Sequence, residues 1–423
     1  MKTNARARTR DARPGDGSDT RSESGTLLIL GAGIYQVPLI KSARAMGLRT
    51  VVASIPGSYP GFAWADEVRY IDTRDKEGVL AAAREIGARG IITTGTDVAV
   101  RSIGYACEHL GLPGISYEAA RILTDKALMK KAFRDGGVHT SEFAVVHDEA
   151  EALDAAHAFA YPVMVKAVDV SGSRGISRVT DDAELLQALS AARSVSHTDH
   201  FLVERVARGT EIGLDAFVWD SEVALCLPHV KYVYRTGGVT MPVGHGFPYV
   251  NSPETLAALR EEVARVASAT GADNCALNLD LFVDEDGSIS VIEAGGRCGA
   301  TTIPELIALH TGIDYYRQMI RAALGEQPDL VPVSHNPCIG MLLCAPRSGV
   351  VTAVDQQGID ALCNDTQTVS LDYGIGDYVH TMRNGTDRIG QLTICTSEVG
   401  DAECLAQEAL SCVCIEAVDL GQG

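Results

Sequence analysis

Residues 276–297 read ALNLDLFVDEDGSISVIEAGGR, and they decide most of what the sequence predicts about the fold. Leucine occupies every second position in Ala276–Val283, so one face of this predicted strand is apolar, while Asn278 and Asp280 lie on the other face. The acidic segment at 284–287 ends in glycine and supplies a turn, after which the chain returns as a second strand. The sequence therefore predicts an antiparallel hairpin with one buried face and one polar face.

A second carboxylate, Glu293, lies on the returning strand. Counting across the turn places Asp280 opposite or diagonal to residues 291–293, within about 8 Å of Glu293. Two carboxylates on apolar strands are costly to bury unless a cation lies between them, and oxygen ligands suit Mg²⁺. The alternative is a pair of solvated carboxylates at the edge of the hairpin. The glycines that follow allow close approach of the backbone to a ligand, and Arg297 offers a bidentate fork.

Two further apolar segments end in charged residues. Lys166 ends PVMVK and precedes SGSRG at 171–175, a pairing of a point charge with a loop of small residues that suits a polyphosphate. A surface hairpin explains this pairing equally well. Glu204 ends FLVE, and Glu211 follows seven residues later. Carboxylates accept hydrogen bonds from an adenine amino group or from ribose hydroxyls, although isolated carboxylates are usually solvated.

The order of strands and helices divides the chain into parts. From residue 26 apolar strands alternate with amphipathic helices, which predicts a parallel sheet with helices on both faces. From residue 117 the rhythm changes to adjacent strands with inserted helices, which predicts α+β units, and one helix is predicted across 119–135. The predicted parts are a disordered tail at 1–25, an N-terminal parallel α/β domain at 26–115, a small lobe with a lid loop at 116–205, a large lobe with the metal site at 206–330, and a C-terminal α+β region at 331–423.

Composition excludes several classes of protein. The net charge of −19 argues against a nucleic-acid surface, which needs clustered lysine and arginine. No run of roughly eighteen apolar residues predicts a membrane helix, and the first 25 residues hold no apolar stretch of the kind that a signal peptide needs. The eleven cysteines are scattered and odd in number, which indicates free thiols and a cytoplasmic protein.

The turn Gly31-Ala32-Gly33 after the first strand invites comparison with a dinucleotide-binding fingerprint. Gln36 stands where that fingerprint needs its third glycine, and Ser54 ends the second strand where an acidic residue is expected. A tight turn whose amides face a cleft explains the glycines equally well, so an NAD-dependent oxidoreductase is the weaker alternative.

Taken together, these residues resemble the ATP-grasp ligases. The resemblance covers about residues 26–330. The residues that occur in the order and spacing of this family are Lys126 in TDK, Lys166, the loop at 171–175, Glu204 with Glu211, Asp280 with Glu293, and Arg297. It implies a fold of α/β and α+β type: an N-terminal parallel-sheet (pre-ATP-grasp) domain, a two-lobed ATP-grasp fold, and a small C-terminal α+β region. It also implies ATP and Mg²⁺ as cofactors, with Mn²⁺ as a substitute.

The resemblance also implies a role for individual residues. Lys126 and Lys166 are assigned to the ATP phosphates, and Ser171, Gly172, Ser173 and Gly175 form the lid over them. Glu204 and the backbone around Val206 are assigned to adenine, and Glu211 is assigned to ribose. Lys231 is assigned as a catalytic contact of the γ-phosphate. Asp280 and Glu293 are assigned to the metal. Many members carry Asn where this chain has Gly295, and Asn278 or water is the candidate replacement ligand. Arg297 is assigned to the carboxylate and its acyl phosphate.

The segments EAGGRCGATTIPELI at 293–307 and GHGFP at 244–248 resemble the carboxylate–amine ligase branch. That branch implies an ADP-forming amide synthesis through an acyl phosphate, with a small carboxylate or amino acid and an amine as substrates, and a homodimer without nucleic-acid or membrane partners. His245 either lines the acceptor pocket or is structural. The rival functions are a carboxylate–thiol ligase, a carboxylase that activates bicarbonate, and a protein that binds ATP without turnover.

Overall fold

The computed structural model describes residues 25–170, 175–236, 239–383 and 387–417. Residues 1–24 of the predicted tail lie outside the described residues, and so do Ser171, Gly172 and Ser173 of the predicted lid. Within the described ranges, no helix combines the length and apolar character needed to cross a membrane.

The N-terminal unit is a four-stranded parallel sheet in the order β3-β2-β1-β4. Its elements are β1 (Thr26–Leu30), α1 (Val37–Ala45), β2 (Arg49–Ser54), β3 (Glu67–Tyr70), α2 (Lys76–Glu85), β4 (Ala88–Ile92) and α3 (Val100–Leu110). The parallel sheet was predicted, but β3 was not. This edge strand is short and only partly buried, so its sequence lacks the apolar run that reveals β1 and β2.

The prediction of one helix across 119–135 was wrong. Two helices, α4 (Tyr117–Ile122) and α5 (Lys126–Asp135), meet at Thr124 and Asp125. The Asp125 side chain accepts hydrogen bonds from the amides of Ala127 and Leu128, so it caps α5 and interrupts the helical pattern. Lys126 is consequently the first residue of a helix.

The small lobe is a four-stranded antiparallel sheet in the order β5-β8-β6-β7, covered by two helices. Its elements are β5 (Phe143–Val146), α6 (Glu149–Phe159), β6 (Val163–Ala167), β7 (Ile176–Val179), α7 (Asp182–Val195) and β8 (Phe201–Arg205). Lys166 and Glu204 lie on the two central strands, β6 and β8, which pair in an antiparallel manner.

The large sheet has eight antiparallel strands in the order β13-β12-β9-β10-β11-β14-β18-β16. Its strands are β9 (Thr210–Trp219), β10 (Glu222–Thr236), β11 (Val239–Phe247), β12 (Cys275–Val283), β13 (Ile289–Gly295), β14 (Cys338–Cys344), β16 (Gln367–Leu371) and β18 (Arg388–Ile394). The helices α8 (Pro253–Thr270), α9 (Ile303–Thr311) and α10 (Tyr315–Ala323) interrupt them. Strands from both sides of residue 331 share this sheet, so the C-terminal region continues it.

The remaining C-terminal elements form a three-stranded sheet in the order β17-β15-β19 with two helices. They are β15 (Gly349–Val354), α11 (Gln356–Ala361), β17 (Tyr378–Val379), α12 (Val399–Ser411) and β19 (Val413–Glu416). The sequence predicted only one helix here, near α12. The six-residue α11 has a single buried residue, Ile359, and is too short for an apolar period to show.

The leucine face of β12 joins the N-terminal unit to the large sheet. Leu277, Leu279 and Leu281 are fully buried, and they share one apolar core with Leu28 and Leu30 of β1. Burial of this size is the main favourable contribution to folding. The shared core therefore fixes the polar face of the β12–β13 hairpin close to the carboxyl ends of the parallel strands.

Candidate active site

The two carboxylates of the hairpin face one another across the strand pair. Asp280 on β12 is the register partner of Glu293 on β13, and the pairing shifts by one residue immediately after Asp280. The prediction that Glu293 lies opposite or diagonal to Asp280 is confirmed. A bulge at this point changes the direction of the side chains at the end of the strand.

A lysine compensates each carboxylate. Lys231 of β10 donates hydrogen bonds to Asp280 Oδ1 at 2.8 Å and to Glu211 Oε1 at 2.7 Å. Lys126 Nζ lies 3.3 Å from Glu293 Oε2 and donates to the Val170 carbonyl at 2.9 Å. The structure therefore brings together five residues from β9, β10, β12, β13 and α5 that the sequence singled out.

The electrostatics of the two carboxylates differ. The Lys126 ammonium lowers the pKa of Glu293 to about 2. Burial raises the pKa of Asp280, and the neighbouring charge of Glu293 adds to this, although Lys231 opposes both. Burial alone would lower the pKa of Lys231, but Asp280 and Glu211 together raise it. A divalent cation between Asp280 and Glu293 relieves the like-charge repulsion that these shifts report.

The donor set fits Mg²⁺. Two carboxylates in register offer hard oxygen ligands, and no cluster of three or more His, Cys, Asp or Glu side chains in the described part of the chain is arranged to hold a metal alone. Mg²⁺ is commonly bound by one or two carboxylates together with water and phosphate oxygens. The site therefore fits a metal whose other ligands come from a nucleotide.

A buried ion cluster joins the small lobe to α5. Lys166 donates to Glu204 Oε2 at 2.8 Å, and Lys130 Nζ lies 3.4 Å from the same oxygen. Burial raises the pKa of Glu204, but the two ammonium groups outweigh it and hold that pKa below its usual value. Sequence reasoning missed Lys130, although its position one helical turn after Lys126 was a usable signal.

The other carboxylate oxygen of Glu204, Oε1, is buried and has no hydrogen-bond partner among the described residues. A buried acceptor without a donor is costly, and a ligand that carries an N–H group removes that cost. Val206 is half-buried just after the end of β8, two residues from Glu204. This arrangement fits the adenine end predicted for Glu204 and Val206, while Glu211 is held by Lys231.

A cavity of about 740 Å³ lies between the hairpin and the N-terminal sheet. Its wall on the hairpin side includes Lys126, Asn278, Asp280, Glu293 and Arg297. Its other wall consists of the loops that follow the four parallel strands, at Gly31–Gly33, at Ser54 and Ile55, at Asp72–Arg74 and at Thr96–Val98. The glycine turn after β1 therefore faces a cleft, which was one of the two explanations of its sequence. Nothing in the sequence of the other three loops indicated that they line a cavity.

Arg297 contacts an aspartate that sequence reasoning did not single out. Its Nε lies 2.9 Å from Asp97 Oδ1, and its Nη2 donates to Asp97 Oδ2 at 3.0 Å. Burial opposes the charge of Arg297, but Asp97 raises its pKa well above the usual value. Its Nη1 donates to Asn278 Oδ1 at 2.8 Å.

Asn278 and His245 have contacts that do not favour their predicted roles. Besides the bond from Arg297, Asn278 Nδ2 donates to the buried Asp215 at 3.0 Å, so both ends of its amide are engaged. Its metal-ligand role stays a prediction. His245 is buried, does not line the cavity, and lies with its Nδ1 3.2 Å from that of His229. Burial lowers its pKa well below the usual value, and the structural alternative is the better fit.

The sequence model of the ATP-grasp domain matches residues 159–305, which hold Lys166, Glu204, the β12–β13 hairpin and Arg297. Residues 159–305 therefore form an ATP-grasp domain. A D-alanine–D-alanine ligase of Pseudomonas putida (strain GB-1) is 26% identical over 266 residues, which are 62% of this chain and 82% of the relative. The predicted fold class is confirmed.

Solved ATP-grasp structures share the whole architecture. Phosphoribosylglycinamide synthetase from Anaerococcus prevotii is 26% identical, with a TM-score of 0.77 over 93% of this chain and 100% of that one. The biotin carboxylase domain of 2-oxoglutarate carboxylase from Hydrogenobacter thermophilus, solved with MgADP, is 20% identical and therefore similar in fold. Its TM-score is 0.76 over 93% of this chain and 91% of that one. This ATP-grasp protein is a ligase, with ATP and Mg²⁺ as the usual cofactors of its family.

Proposed function

We propose that this ATP-grasp ligase is an ADP-forming carboxylate–amine ligase that makes an amide bond through an acyl phosphate. The observation that supports this most directly is the arrangement around the cavity. Asp280 and Glu293, each held by a lysine, form one wall, and Arg297 reaches from the same wall towards the N-terminal loops. A phosphate-binding site and a pocket for a small substrate therefore share one space.

In the first step the substrate carboxylate attacks the γ-phosphorus of ATP, and ADP leaves. Asp280 and Glu293 would hold Mg²⁺, which neutralises charge on the phosphate oxygens when bound. Lys126 and Lys231 lie against these carboxylates, and we assign their ammonium groups to the phosphate oxygens, where they would stabilise the negative charge that moves to ADP. Lys166 has a similar position next to Glu204.

In the second step the neutral amine attacks the acyl carbon, the bond from that carbon to the phosphate oxygen breaks, and inorganic phosphate leaves with the proton that the amine loses. The carbonyl oxygen becomes negative, and an N–H of Arg297, which lines the cavity, would stabilise it. Acyl phosphates hydrolyse in water, so a site enclosed between two domains is expected for this chemistry. The products are ADP, phosphate and an amide.

The relatives favour an amine acceptor. The names D-alanine–D-alanine ligase and phosphoribosylglycinamide synthetase describe carbon–nitrogen bond formation in those proteins. A bicarbonate-activating carboxylase remains the second candidate because a biotin carboxylase domain has the same fold. A thiol acceptor and ATP binding without turnover are further alternatives. Small-molecule partners, a homodimer and a cytoplasmic location are part of the proposal.

A release assay for inorganic phosphate tests the proposal. The protein with Mg·ATP is screened against a matrix of small carboxylates, including amino acids, combined with amines, thiols or bicarbonate. We expect release to require one carboxylate together with one amine, and to be slowed in Glu293→Gln. Release that requires a thiol or bicarbonate instead identifies the corresponding rival, and tight Mg·ATP binding without release in any combination supports the non-catalytic alternative.

A further inference from the structure

Most N–H groups of Arg297 are either hydrogen-bonded or buried inside the protein. Asp97 faces Nε and Nη2, while Nη1 donates to Asn278 Oδ1 at 2.8 Å and to the Cys298 carbonyl at 3.2 Å. A guanidinium has five N–H groups. Three of these N–H groups, two on Nη1 and one on Nη2, donate hydrogen bonds within the protein, and the N–H on Nε is buried 2.9 Å from Asp97 Oδ1 in an ion pair that lacks hydrogen-bond geometry. A single N–H, on Nη2, is therefore left for a ligand in the cavity. A substrate carboxylate therefore cannot form a two-pronged pair with Arg297 while Asp97 is in place.

The lack of a side chain at Gly295 leaves the space in which Asp97 contacts Arg297. A Cβ at position 295 would lie 2.8 Å from Asp97 Oδ1 and 3.4 Å from the Arg297 guanidinium carbon. Gly295 does not have a positive φ, so the backbone itself does not require glycine. The space that a side chain at 295 would fill is filled here by the carboxylate of Asp97.

The contact also joins two domains. Asp97 lies in the loop after β4 of the parallel sheet, and Arg297 follows β13, two hundred residues later. Both residues line the cavity, and both are more than two-thirds buried. A charged pair in this setting is weakly screened by solvent, so the net charge that Arg297 presents to a ligand depends strongly on Asp97.

We propose that Asp97 is a specificity-determining residue, which neutralises Arg297 and limits it to one N–H directed at the cavity. Free oxyanions such as inorganic phosphate, a product of the proposed reaction, are then bound weakly. The substrate carboxylate is held by one hydrogen bond that persists when its oxygen becomes negative. The identity of this substrate rests on the proposed function, whereas the effect of Asp97 on anion binding does not.

Calorimetric titration of inorganic phosphate into the nucleotide-free protein tests this proposal. Asp97→Asn keeps the shape of the side chain and removes its charge, so we expect the Kd for phosphate to fall roughly tenfold or more, as is typical for loss of a neighbouring like charge. Arg297→Ala should bind phosphate no better than wild type. The double variant should lose the gain, because the guanidinium that Asp97 masks is gone.

A matched control separates this effect from a general change in charge. Asp72 lines the same cavity, but its pair with Arg74 is exposed to solvent and therefore screened, so Asp72→Asn should leave the Kd for phosphate within about twofold of wild type. Asp97→Ser repeats the test in case Asp97→Asn does not fold. Equal phosphate affinity in wild type and both Asp97 variants overturns the proposal, and so does a gain that survives in the Arg297→Ala background.

The ligase reaction supplies an independent readout. In Asp97→Asn, phosphate should become an inhibitor competitive with the carboxylate, and kcat/KM for the carboxylate should fall while the KM for Mg·ATP stays unchanged. A merely structural defect would affect both substrates. If no carboxylate and amine support turnover, the proposed function fails, but the phosphate titration still decides the role of Asp97.

Discussion

In the proposed mechanism two neighbouring side chains have different roles, Glu293 at the metal and Arg297 at the substrate. Glu293 lies against Lys126 and Arg297 lies against Asp97, although they are only four positions apart in the sequence. Glu293 lies within strand β13, whereas Arg297 lies beyond its end, after two glycines. The Glu293 carboxylate and the Arg297 guanidinium therefore have different partners along the cavity wall. Substitutions at these two positions should therefore have different kinetic signatures.

Glu293→Gln should slow phosphoryl transfer and raise the Mg²⁺ concentration needed, because it removes a charged metal ligand while preserving size. Arg297→Ala should leave Mg·ATP binding nearly intact and weaken use of the carboxylate. A single hydrogen bond to a charged group contributes about 1.5–3 kcal/mol, so we expect about a 10- to 150-fold loss in kcat/KM. Separate titrations of metal and carboxylate distinguish the variants. Loss of ATP affinity in Arg297→Ala, with normal carboxylate dependence, would contradict the assignment.

Lys130 makes a prediction about stability and pH. Burial lowers the pKa of its ammonium to about 8, although Glu204 opposes this. The unfolded chain therefore holds more protons than the folded chain above about pH 8, so the free energy of unfolding contributed by Lys130 rises with pH until its unfolded pKa of about 10.4. Below about pH 8 both states are protonated and the contribution is constant.

We expect Lys130→Met to lack this rise. Urea denaturation at about pH 7.5 and about pH 9.5 should give wild type an increment larger than that of the variant by ~2 kcal/mol. Lys131→Met is the matched control, since Lys131 is an exposed neighbour on the same helix. Identical increments in wild type and Lys130→Met would show that Lys130 is not held in a buried, partly neutral state.

The residues that sequence reasoning missed share one property. Asp97 and Arg297 are two hundred positions apart, and nothing in the segment TGTDVAV distinguishes Asp97 from a solvated loop aspartate. Asp280 and Glu293 were found because a hairpin fixes their distance locally. Pairs that are set by a register could be predicted, whereas pairs that depend on the docking of two domains could not.

Among the elements, helix α5 connects stability to nucleotide binding. Asp125 caps this helix through the amides of Ala127 and Leu128, and Lys126 is its first residue. We expect Asp125→Ala to lower the free energy of unfolding by about 1 kcal/mol and to weaken Mg·ATP binding on the order of fivefold, since the loosened first turn carries the lysine. Calorimetric titration of Mg·ATP measures the second effect.

Asp148→Ala is the control for this prediction. Asp148 caps α6 in the same manner, by accepting a hydrogen bond from the Glu151 amide, and does not line the cavity. It should lower stability by a similar amount without changing Mg·ATP affinity. Equal losses of affinity in the two variants would show that nucleotide binding follows global stability rather than the geometry of α5.

The same helix shows why element boundaries were harder to predict than element types. An apolar period runs through 119–135, and only the N-cap geometry of Asp125 reveals that the helix restarts. The edge strand β3 and the short helix α11 were not predicted, because neither buries an apolar face. The long strand β12 has a fully buried leucine face, and its alternation gave a clear pattern.

At the scale of the whole molecule, the sheet that carries the metal-side carboxylates extends into the C-terminal region. Strands β14, β18 and β16 continue the sheet from β11, so residues beyond 331 support the large lobe directly. The sequence predicted alternating strands there but not their partners, because strand pairing over such distances depends on tertiary packing. The domain boundaries of the sequence analysis therefore stay predictions.

Isotope transfer tests the acyl-phosphate claim most directly. The carboxylate found by the release assay is labelled with ¹⁸O in both oxygens and turned over with Mg·ATP and the amine, and the phosphate products are examined by mass spectrometry. We predict ADP as the nucleotide product and one ¹⁸O atom in each inorganic phosphate released, because the carboxylate oxygen attacks the γ-phosphorus and leaves with it. Recovery of ¹⁸O in AMP, with pyrophosphate as the other product, would contradict the proposed mechanism.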